Sequence, residues 1–67
     1  MKKITLLLTA VFVLSAAYCN RGNAYYCKKN YDRAIADYNE AIKIDPNYTD
    51  AYIGRGNAEQ AKRDAKK

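Results

Sequence analysis

Cys19 and Cys27 carry the two thiols of this 67-residue chain and are its most reactive side chains. They are eight residues apart in a segment of helical character, which predicts Cα atoms about 12 Å apart at 1.5 Å per residue. A disulfide needs Cα atoms within about 7 Å of each other, so an intrachain bridge is excluded while the helix holds. Two roles stay open: intermolecular bridges in an oxidising compartment, or small, partly buried apolar residues, which is the usual use of free cysteine.

Oxygen-bearing side chains cluster around the single proline and raise a calcium site as a possibility. Asp45, Asn47 and Asp50 have the right ligand atoms, but an EF-hand loop also requires glycine at its sixth position and glutamate at its twelfth. Those two places hold Asp50 and Gly56. The sequence therefore predicts turn formers and helix caps here, and no metal site.

Catalysis is not predicted. The chain has no histidine, which removes the commonest general base and metal ligand. No nucleophile–base pair and no set of metal ligands is recognisable in the sequence. We therefore expect a protein that is not an enzyme and that uses no cofactor.

Tyrosines together with basic residues raise single-stranded nucleic acid as a ligand. The net charge is +5, but the positive charge is concentrated at the two ends, and the middle is close to balanced. That pattern is typical of a solvated helical surface. Most tyrosines are predicted to face neighbouring helices, which leaves Tyr26 and Tyr48 exposed, so we predict no nucleic-acid partner. The tyrosines assigned to packing are Tyr18, Tyr25, Tyr31, Tyr38 and Tyr52.

An internal repeat organises these side chains. Residues 17–24 recur as residues 51–58, an offset of thirty-four, with six of the eight positions identical. A period of about 34 residues is typical of helix-turn-helix solenoid repeats, whose units stack to build binding surfaces. The sequence therefore predicts an all-α chain with one full unit and the first half of the next.

The apolar periodicity predicts about three helices. Residues 31–44 place their apolar side chains at offsets of 3, 4, 7, 10 and 11 from the first, on one helical face, and Pro46 ends this helix. The first helix is predicted at roughly 16–28, or as one continuous helix from residue 4, and the third at roughly 50–63. The predicted N-caps are Asn30 for the second helix and Thr49 or Asp50 for the third.

A glycine inside each odd-numbered helix predicts a close contact. Glycine costs about 1 kcal/mol relative to alanine within a helix, so Gly22 indicates a near neighbour, which we expect to be Tyr38. Gly56 stands in the same slot of the third helix, and Glu59 stands where the first unit has Tyr25. That acidic replacement predicts a third helix that faces water.

These residues together resemble the tetratricopeptide repeat. The resemblance covers residues 15–48 as a full repeat and 49–67 as the first helix of a second, truncated one. Arg21 and Arg55 stand where the family often has leucine, and Lys29 where it often has glycine. The repeat-defining slots hold Tyr18, Gly22, Tyr25, Ala34, Tyr38, Ala41 and Pro46 in the full unit, and Tyr52 and Gly56 in the partial one.

The resemblance implies a non-catalytic module of an α-solenoid that binds a peptide or partner segment on its concave face. In the family that face is lined by the first helix of each unit, and asparagine amides there can hydrogen-bond an extended peptide. The sequence does not support the family's carboxylate-binding clamp, because Cys19 occupies a position where that clamp has a lysine. Any one candidate is equally well explained as a solvated helix position. By position, the candidates are Asn20, Asn23, Tyr26, Ile53, Asn57 and Gln60, beside Cys19 and Cys27.

Residues 1–17 have the pattern of a secretory signal peptide. Lys2 and Lys3 precede an uncharged, mostly apolar run over residues 4–17 that ends in small residues. The run is shorter than the roughly 18 to 20 residues of a membrane span. We expect export to the periplasm or the medium, with cleavage after Ala17. The predicted layout is a leader at 1–17, the repeat at 18–48 and a partial repeat at 49–67.

Several alternatives stay open at this stage. An uncleaved leader would make a small protein anchored to the cytoplasmic membrane through residues 4–17, its repeat packed on that apolar helix or on a second copy. Lipidation at Cys19 is only weakly indicated, because Tyr18 replaces the small residue that a lipoprotein signal needs. A truncated fragment of a longer repeat protein would have no independent function.

Stability of the isolated repeat is predicted to be low. About one and a half repeats is fewer than the three or so that usually bury a continuous core. We therefore expect the segment from Tyr18 onward to be at best marginally folded as a monomer. Thermal unfolding at several protein concentrations tests this expectation, and a cooperative, concentration-independent melt would contradict it.

Overall fold

The computed structural model describes the backbone of residues 2–66 and the side chains of residues 10–66. Within residues 2–66 the chain forms three α-helices: α1 (Lys2–Cys27), α2 (Tyr31–Ile44) and α3 (Thr49–Ala65). Both α1 and α3 pack against α2 and also contact each other. This arrangement confirms the predicted all-α helix-turn-helix fragment. Predictions that concern Met1, Lys67 and the side chains of residues 2–9 lie outside the described residues.

Residues 2–17 and the first repeat helix form a single helix. α1 runs for 26 residues, about 39 Å at 1.5 Å per residue. The continuous helix was one of the two possibilities left open by the sequence, and a separate start near Ala16 is not observed. Across the described residues, none of the helices combines the length and the apolar character that crossing a membrane requires.

The turn between α1 and α2 is a Schellman motif. The Asn30 N–H donates to the Tyr25 carbonyl and the Lys29 N–H donates to the Tyr26 carbonyl, each at 2.9 Å. Lys29 has a φ of 64°, the left-handed conformation in which a Cβ is strained and glycine is not. The turn geometry therefore explains why glycine suits this slot of the repeat.

Lys29→Gly is accordingly expected to stabilise the protein by about 1 kcal/mol, because it removes the Cβ from a left-handed position. The measurement is the urea midpoint of the full chain, followed by far-UV circular dichroism. Lys28→Gly is the matched control, because among the described non-glycine residues only Lys29 has a positive φ. The control is expected to lose stability, and an unchanged or lower midpoint for Lys29→Gly would contradict the assignment of strain.

The predicted side-chain caps are wrong at both helix starts. Asn30 occupies the N-cap position of α2 without a side-chain cap, and it is the backbone carbonyl of Asn30 that accepts the Ala34 N–H at 3.1 Å. α3 begins at Thr49 with Tyr48 at its N-cap, again without a side-chain cap. Thr49 and Asp50 therefore lie in the first turn, where the Asp50 carboxylate is favourably placed in the helix dipole.

The turn between α2 and α3 forms as predicted. The Asp45 Oδ1 accepts the backbone N–H of Asn47 at 3.1 Å, which is an Asx turn. The Tyr48 N–H donates to the Asp45 carbonyl at 3.1 Å, and Pro46 lies between these two contacts. Asp45 and Asn47 are therefore turn formers.

The core lies where α2 meets the other two helices. Tyr38 is 1% exposed and is the largest fully buried side chain among the described residues. Ser15 is the next largest. The other fully buried residues are small, which lets the helix backbones approach closely, and half-buried tyrosines and isoleucines pack against them. The remaining buried apolar residues are Cys19, Ala34, Ala41, Ala51 and Ala58.

Three tyrosines differ from the prediction. Tyr26 and Tyr48, predicted to be exposed, are half-buried. The Tyr26 ring lies 5.7 Å from the ring of Tyr31, and the Tyr48 ring lies 6.4 Å from the ring of Phe12. Tyr52, assigned to helix packing, is instead 41% exposed, because α3 meets α2 through a different face from the one that Tyr52 occupies.

The two cysteines have different environments. Cys19 is buried and Cys27 is exposed, so the interpretation as a small buried residue is confirmed for Cys19 and wrong for Cys27. Burial, followed by the charge of Asp50, raises the pKa of the Cys19 thiol. Because the thiolate is the reactive form, Cys19 is chemically quiet and serves in packing.

Candidate functional site

Three consecutive residues of α1 hold two consecutive residues of α2; we call Arg21-Gly22-Asn23 the α1 triplet. The Arg21 Nε and Nη2 donate to the two carboxylate oxygens of Asp37, each at 2.8 Å. The ring of Tyr38 fills the space beside Gly22, where an added Cβ would lie 2.9 Å from the Tyr38 Cε1. The Tyr38 hydroxyl donates to the Asn23 Oδ1. The predicted Gly22–Tyr38 contact is therefore confirmed.

The ion pair of the α1 triplet is asymmetric in its burial. The Asp37 side chain is 7% exposed, whereas the Arg21 side chain is 59% exposed. Hydrogen bonding to Asp37 and the Asp37 charge raise the pKa of the Arg21 guanidinium, which also lies 5.5 Å from the centre of the Tyr18 ring. Asp37 was not predicted from the sequence. The feature that could have indicated it is Arg21, an arginine in a slot that often holds leucine.

Arg21→Leu is expected to lower the urea midpoint of unfolding, because it leaves the buried Asp37 carboxylate without its partner. This loss is expected even though leucine is common at that slot of the repeat. Urea unfolding of the full chain measures it, with Arg63→Leu on an exposed position of α3 as the control. Equal midpoints for the two leucine variants would show that the ion pair contributes nothing.

The ring of Tyr38 lies between two helices. An added Cβ at Gly54 of α3 would lie 2.5 Å from the Tyr38 Cζ, while one at Gly56 would meet nothing within 4 Å. The contact that Gly22 makes is therefore not repeated at Gly56 within the described part of the chain. The contact of Gly54 was not predicted, because the equivalent position in the first unit holds Asn20.

The candidate partner-binding residues of α1 are only partly accessible. Asn20 is exposed. Asn23 is also exposed, but its Oδ1 accepts the Tyr38 hydroxyl, so the amide NH2 is the part left for a ligand. Tyr26 is half-buried beside Tyr31. This helix therefore offers less to a partner than the sequence predicted.

The candidates of α3 are more accessible than those of α1. Asn57 and Gln60 are exposed, and Ile53 is 57% exposed. Asn57 occupies the same repeat slot as Asn23, yet in the described residues no tyrosine hydroxyl engages it. The two recurring asparagines thus have different roles: one belongs to the fold and the other is open to solvent.

A family comparison bears on this arrangement. Residues 15–48, just over half of the chain, match the tetratricopeptide repeat. The chain belongs to the tetratricopeptide repeat family. No curated protein and no solved structure gives a significant match. The matched tetratricopeptide repeat begins at Ser15 and therefore includes Ser15–Ala17, the last three residues of the predicted leader.

Membership of the tetratricopeptide family points to protein partners. This repeat is in general a protein-interaction module and is usually non-catalytic. In this tetratricopeptide chain the helix pair α1–α2 is the full unit, and α3 packs on α2 and also contacts α1. Each of the three helices carries exposed side chains within the described residues.

A cleft of the tetratricopeptide chain lies away from the predicted binding residues. It has a volume of about 280 Å³ between the start of α2 and the end of α3. Lys62 Nζ lies 2.6 Å from Asp32 Oδ1 across it, and this contact lowers the pKa of Asp32. The salt bridge joins α2 to α3, which is a structural role. The cleft is lined by Lys29, Asn30, Tyr31, Asp32, Lys62, Ala65 and Lys66.

Proposed function

We propose that this tetratricopeptide protein is a non-catalytic interaction module that binds an extended peptide or partner segment on the concave face formed by α1 and α3. Family membership is the observation that carries the proposal. The accessible amides of Asn20, Asn57 and Gln60 support it, because an amide both donates to and accepts from a peptide backbone. The exposed side chain of Ile53 adds an apolar contact for the same segment.

Site-specific photo-cross-linking tests this proposal. A photoreactive amino acid replaces Asn57 or Asn20 in the full chain, expressed in a bacterial host, and both positions are expected to capture the same protein partner. Glu40 is the control position, because it is exposed on α2, the helix that the family does not use to line the concave face. Asn57→Ala is then expected to weaken binding of the purified partner. Identical products from Glu40, or unchanged affinity of Asn57→Ala, would place the binding site elsewhere.

We further propose that residues 1–17 act as an export leader, with cleavage after Ala17 placing the protein in the periplasm or the medium. A retained leader is the second candidate, and one observation favours it. Ser15 is fully buried and its Oγ donates to the Val11 carbonyl at 2.7 Å, while Phe12 lies against Tyr48. Cleavage after Ala17 would remove these contacts from the repeat.

The retained leader would associate the protein with a membrane or with a second copy. Val11, Phe12, Val13 and Leu14 form a run of exposed apolar side chains on α1, and such a run is suited to lipid or to another apolar surface. The intact mass of the protein after membrane and secretion fractionation separates the two candidates. A soluble species that starts at Tyr18 supports export, whereas a full-length, membrane-bound species supports a retained anchor.

A further inference from the structure

α3 carries a second copy of the residues that hold α2 against α1. Arg55-Gly56-Asn57, which we call the α3 triplet, repeats the α1 triplet thirty-four residues later. The Arg55 guanidinium lies 5.3 Å from the centre of the Tyr52 ring, as the arginine of the α1 triplet lies 5.5 Å from that of Tyr18. Equal spacing on two regular helices gives these side chains the same relative placement.

Gly56 of the α3 triplet lies on a face of α3 that does not meet α2, and Arg55, at the edge of that face, reaches Asn39 of α2. α3 contacts α2 through Ala51 and Ala58, which are fully buried, and through Gly54, which lies against the ring of Tyr38. At 3.6 residues per turn, Gly56 lies about 200° around the helix from Gly54. Gly56 is exposed, and within the described residues no atom lies within 4 Å of a Cβ built there.

The arginine of the α3 triplet has spare donors. Its Nη1 donates to the Asn39 Oδ1 at 2.9 Å in an exposed contact. The ion pairs found within residues 10–66 join Arg21 to Asp37 and Lys62 to Asp32, so Arg55 forms no ion pair in that part of the chain. The bidentate carboxylate contact that Arg21 makes is therefore available to Arg55 for a ligand.

The charge on this face specifies the ligand further. On α1, the Tyr25 ring lies 5.8 Å from the guanidinium of Arg33, which precedes Asp37 by four residues in α2. On α3, the equivalent of Tyr25 is Glu59, which is exposed. A carboxylate at that position attracts an arginine more strongly than a neutral ring does, because the two groups form a charge-assisted hydrogen bond. The face is thus complementary to an arginine followed, four residues later, by Asp-Tyr.

We propose that this face of α3 binds an amphipathic helix of a partner protein that carries the arginine and the Asp-Tyr pair at the spacing found in α2. The partner aspartate accepts two hydrogen bonds from Arg55. The partner tyrosine lays its ring on Gly56 and donates its hydroxyl to Asn57, and the partner arginine pairs with Glu59. This surface goes beyond the concave face of the proposed function and shares with it Asn57.

A peptide of residues 30–45, labelled with a fluorophore, serves as the helical probe, and fluorescence anisotropy with the full chain measures its affinity. Gly56→Ala is the decisive variant. With open space around it, the new methyl group is expected to raise the unfolding midpoint, because alanine favours the helix. The same methyl group meets the tyrosine ring of a bound helix, as a Cβ on Gly22 would, so the affinity is expected to fall about tenfold or more.

Two further variants locate the contact. Arg55→Gln is expected to weaken the wild-type peptide, and a peptide with Asp37→Asn is expected to bind the wild-type chain more weakly for the same reason. Asp64→Ala, at an exposed position of α3 outside the face, is the matched control and is expected to bind like the wild type.

Three results would overturn the proposal. The peptide fails to bind the wild-type chain, or it binds wild type and Gly56→Ala equally, as it would if it displaced α2 from Gly22. Alternatively, the chain sediments as a dimer that Gly56→Ala dissociates, which would put a second copy on this face in place of a partner helix. The concave-face proposal is tested separately by cross-linking from Asn20, because Asn20 is not part of this surface of α3.

Discussion

Tyr38→Ala is expected to abolish the cooperative unfolding transition of this protein. Tyr38 is 1% exposed, and its ring lies between α1 and α3. Replacing a buried aromatic residue by alanine typically costs about 3 to 5 kcal/mol. A core of this size supplies only about 3 to 5 kcal/mol of stability in total, so the loss removes most or all of it. Far-UV circular dichroism of the full chain in increasing urea measures the result.

Two controls separate the ring from its hydroxyl and from tyrosines in general. Tyr38→Phe keeps the ring and loses the hydrogen bond to Asn23, which is expected to cost about 1 kcal/mol. Tyr52→Ala removes a tyrosine that is 41% exposed and is expected to change the midpoint little. If Tyr38→Ala unfolds cooperatively with the midpoint of Tyr52→Ala, then this ring is not the centre of the core.

Gly54→Ala and Gly56→Ala are expected to change stability in opposite directions, although the two glycines are two residues apart in one helix. Each substitution gains about 1 kcal/mol from helix propensity. At Gly54 the new Cβ would lie 2.5 Å from the Tyr38 Cζ. That ring cannot retreat, because Gly22 of α1 is packed against it on the other side.

The difference between these two variants is expected to be about 3 kcal/mol, the upper end of the usual range for overpacking. The unfolding free energy should therefore fall for Gly54→Ala and rise by about 1 kcal/mol for Gly56→Ala. Urea titrations of the two full-length variants and the wild type provide the comparison. A gain in stability at both positions would mean that α3 is not held against the Tyr38 ring as described.

The local elements of this fold were predictable from sequence. The predicted second helix has the same bounds as α2, Tyr31–Ile44, because a 3.6-residue apolar period and Pro46 are both local signals. The repeat at an offset of thirty-four residues also predicted that α1 and α3 carry equivalent residues. The contact of Gly22 with Tyr38 followed from the cost of a glycine inside a helix, which a near neighbour offsets.

Other features were decided by the way the helices pack. Asp37 was missed because an ion pair joins residues sixteen positions apart and leaves no periodic pattern. The predicted caps were wrong because Asn30 and Tyr48 occupy the N-cap positions without side-chain hydrogen bonds. Residue type alone does not determine whether a side chain caps a helix. Cys19 and Cys27 differ in burial because Cys19 lies within α1 beside α2, whereas Cys27 is the last residue of α1.

The sequence by itself determined the helices, the turns and the repeated triplet, since these depend on neighbours within a few residues. Only the tertiary structure decided what each copy of the triplet meets. α1 meets α2 through its triplet, whereas α3 meets α2 through Gly54 and its buried alanines, so equivalent residues have different surroundings. For that reason Gly22 packs against Tyr38 while Gly56 lies open, and Asn23 accepts the Tyr38 hydroxyl while Asn57 is exposed.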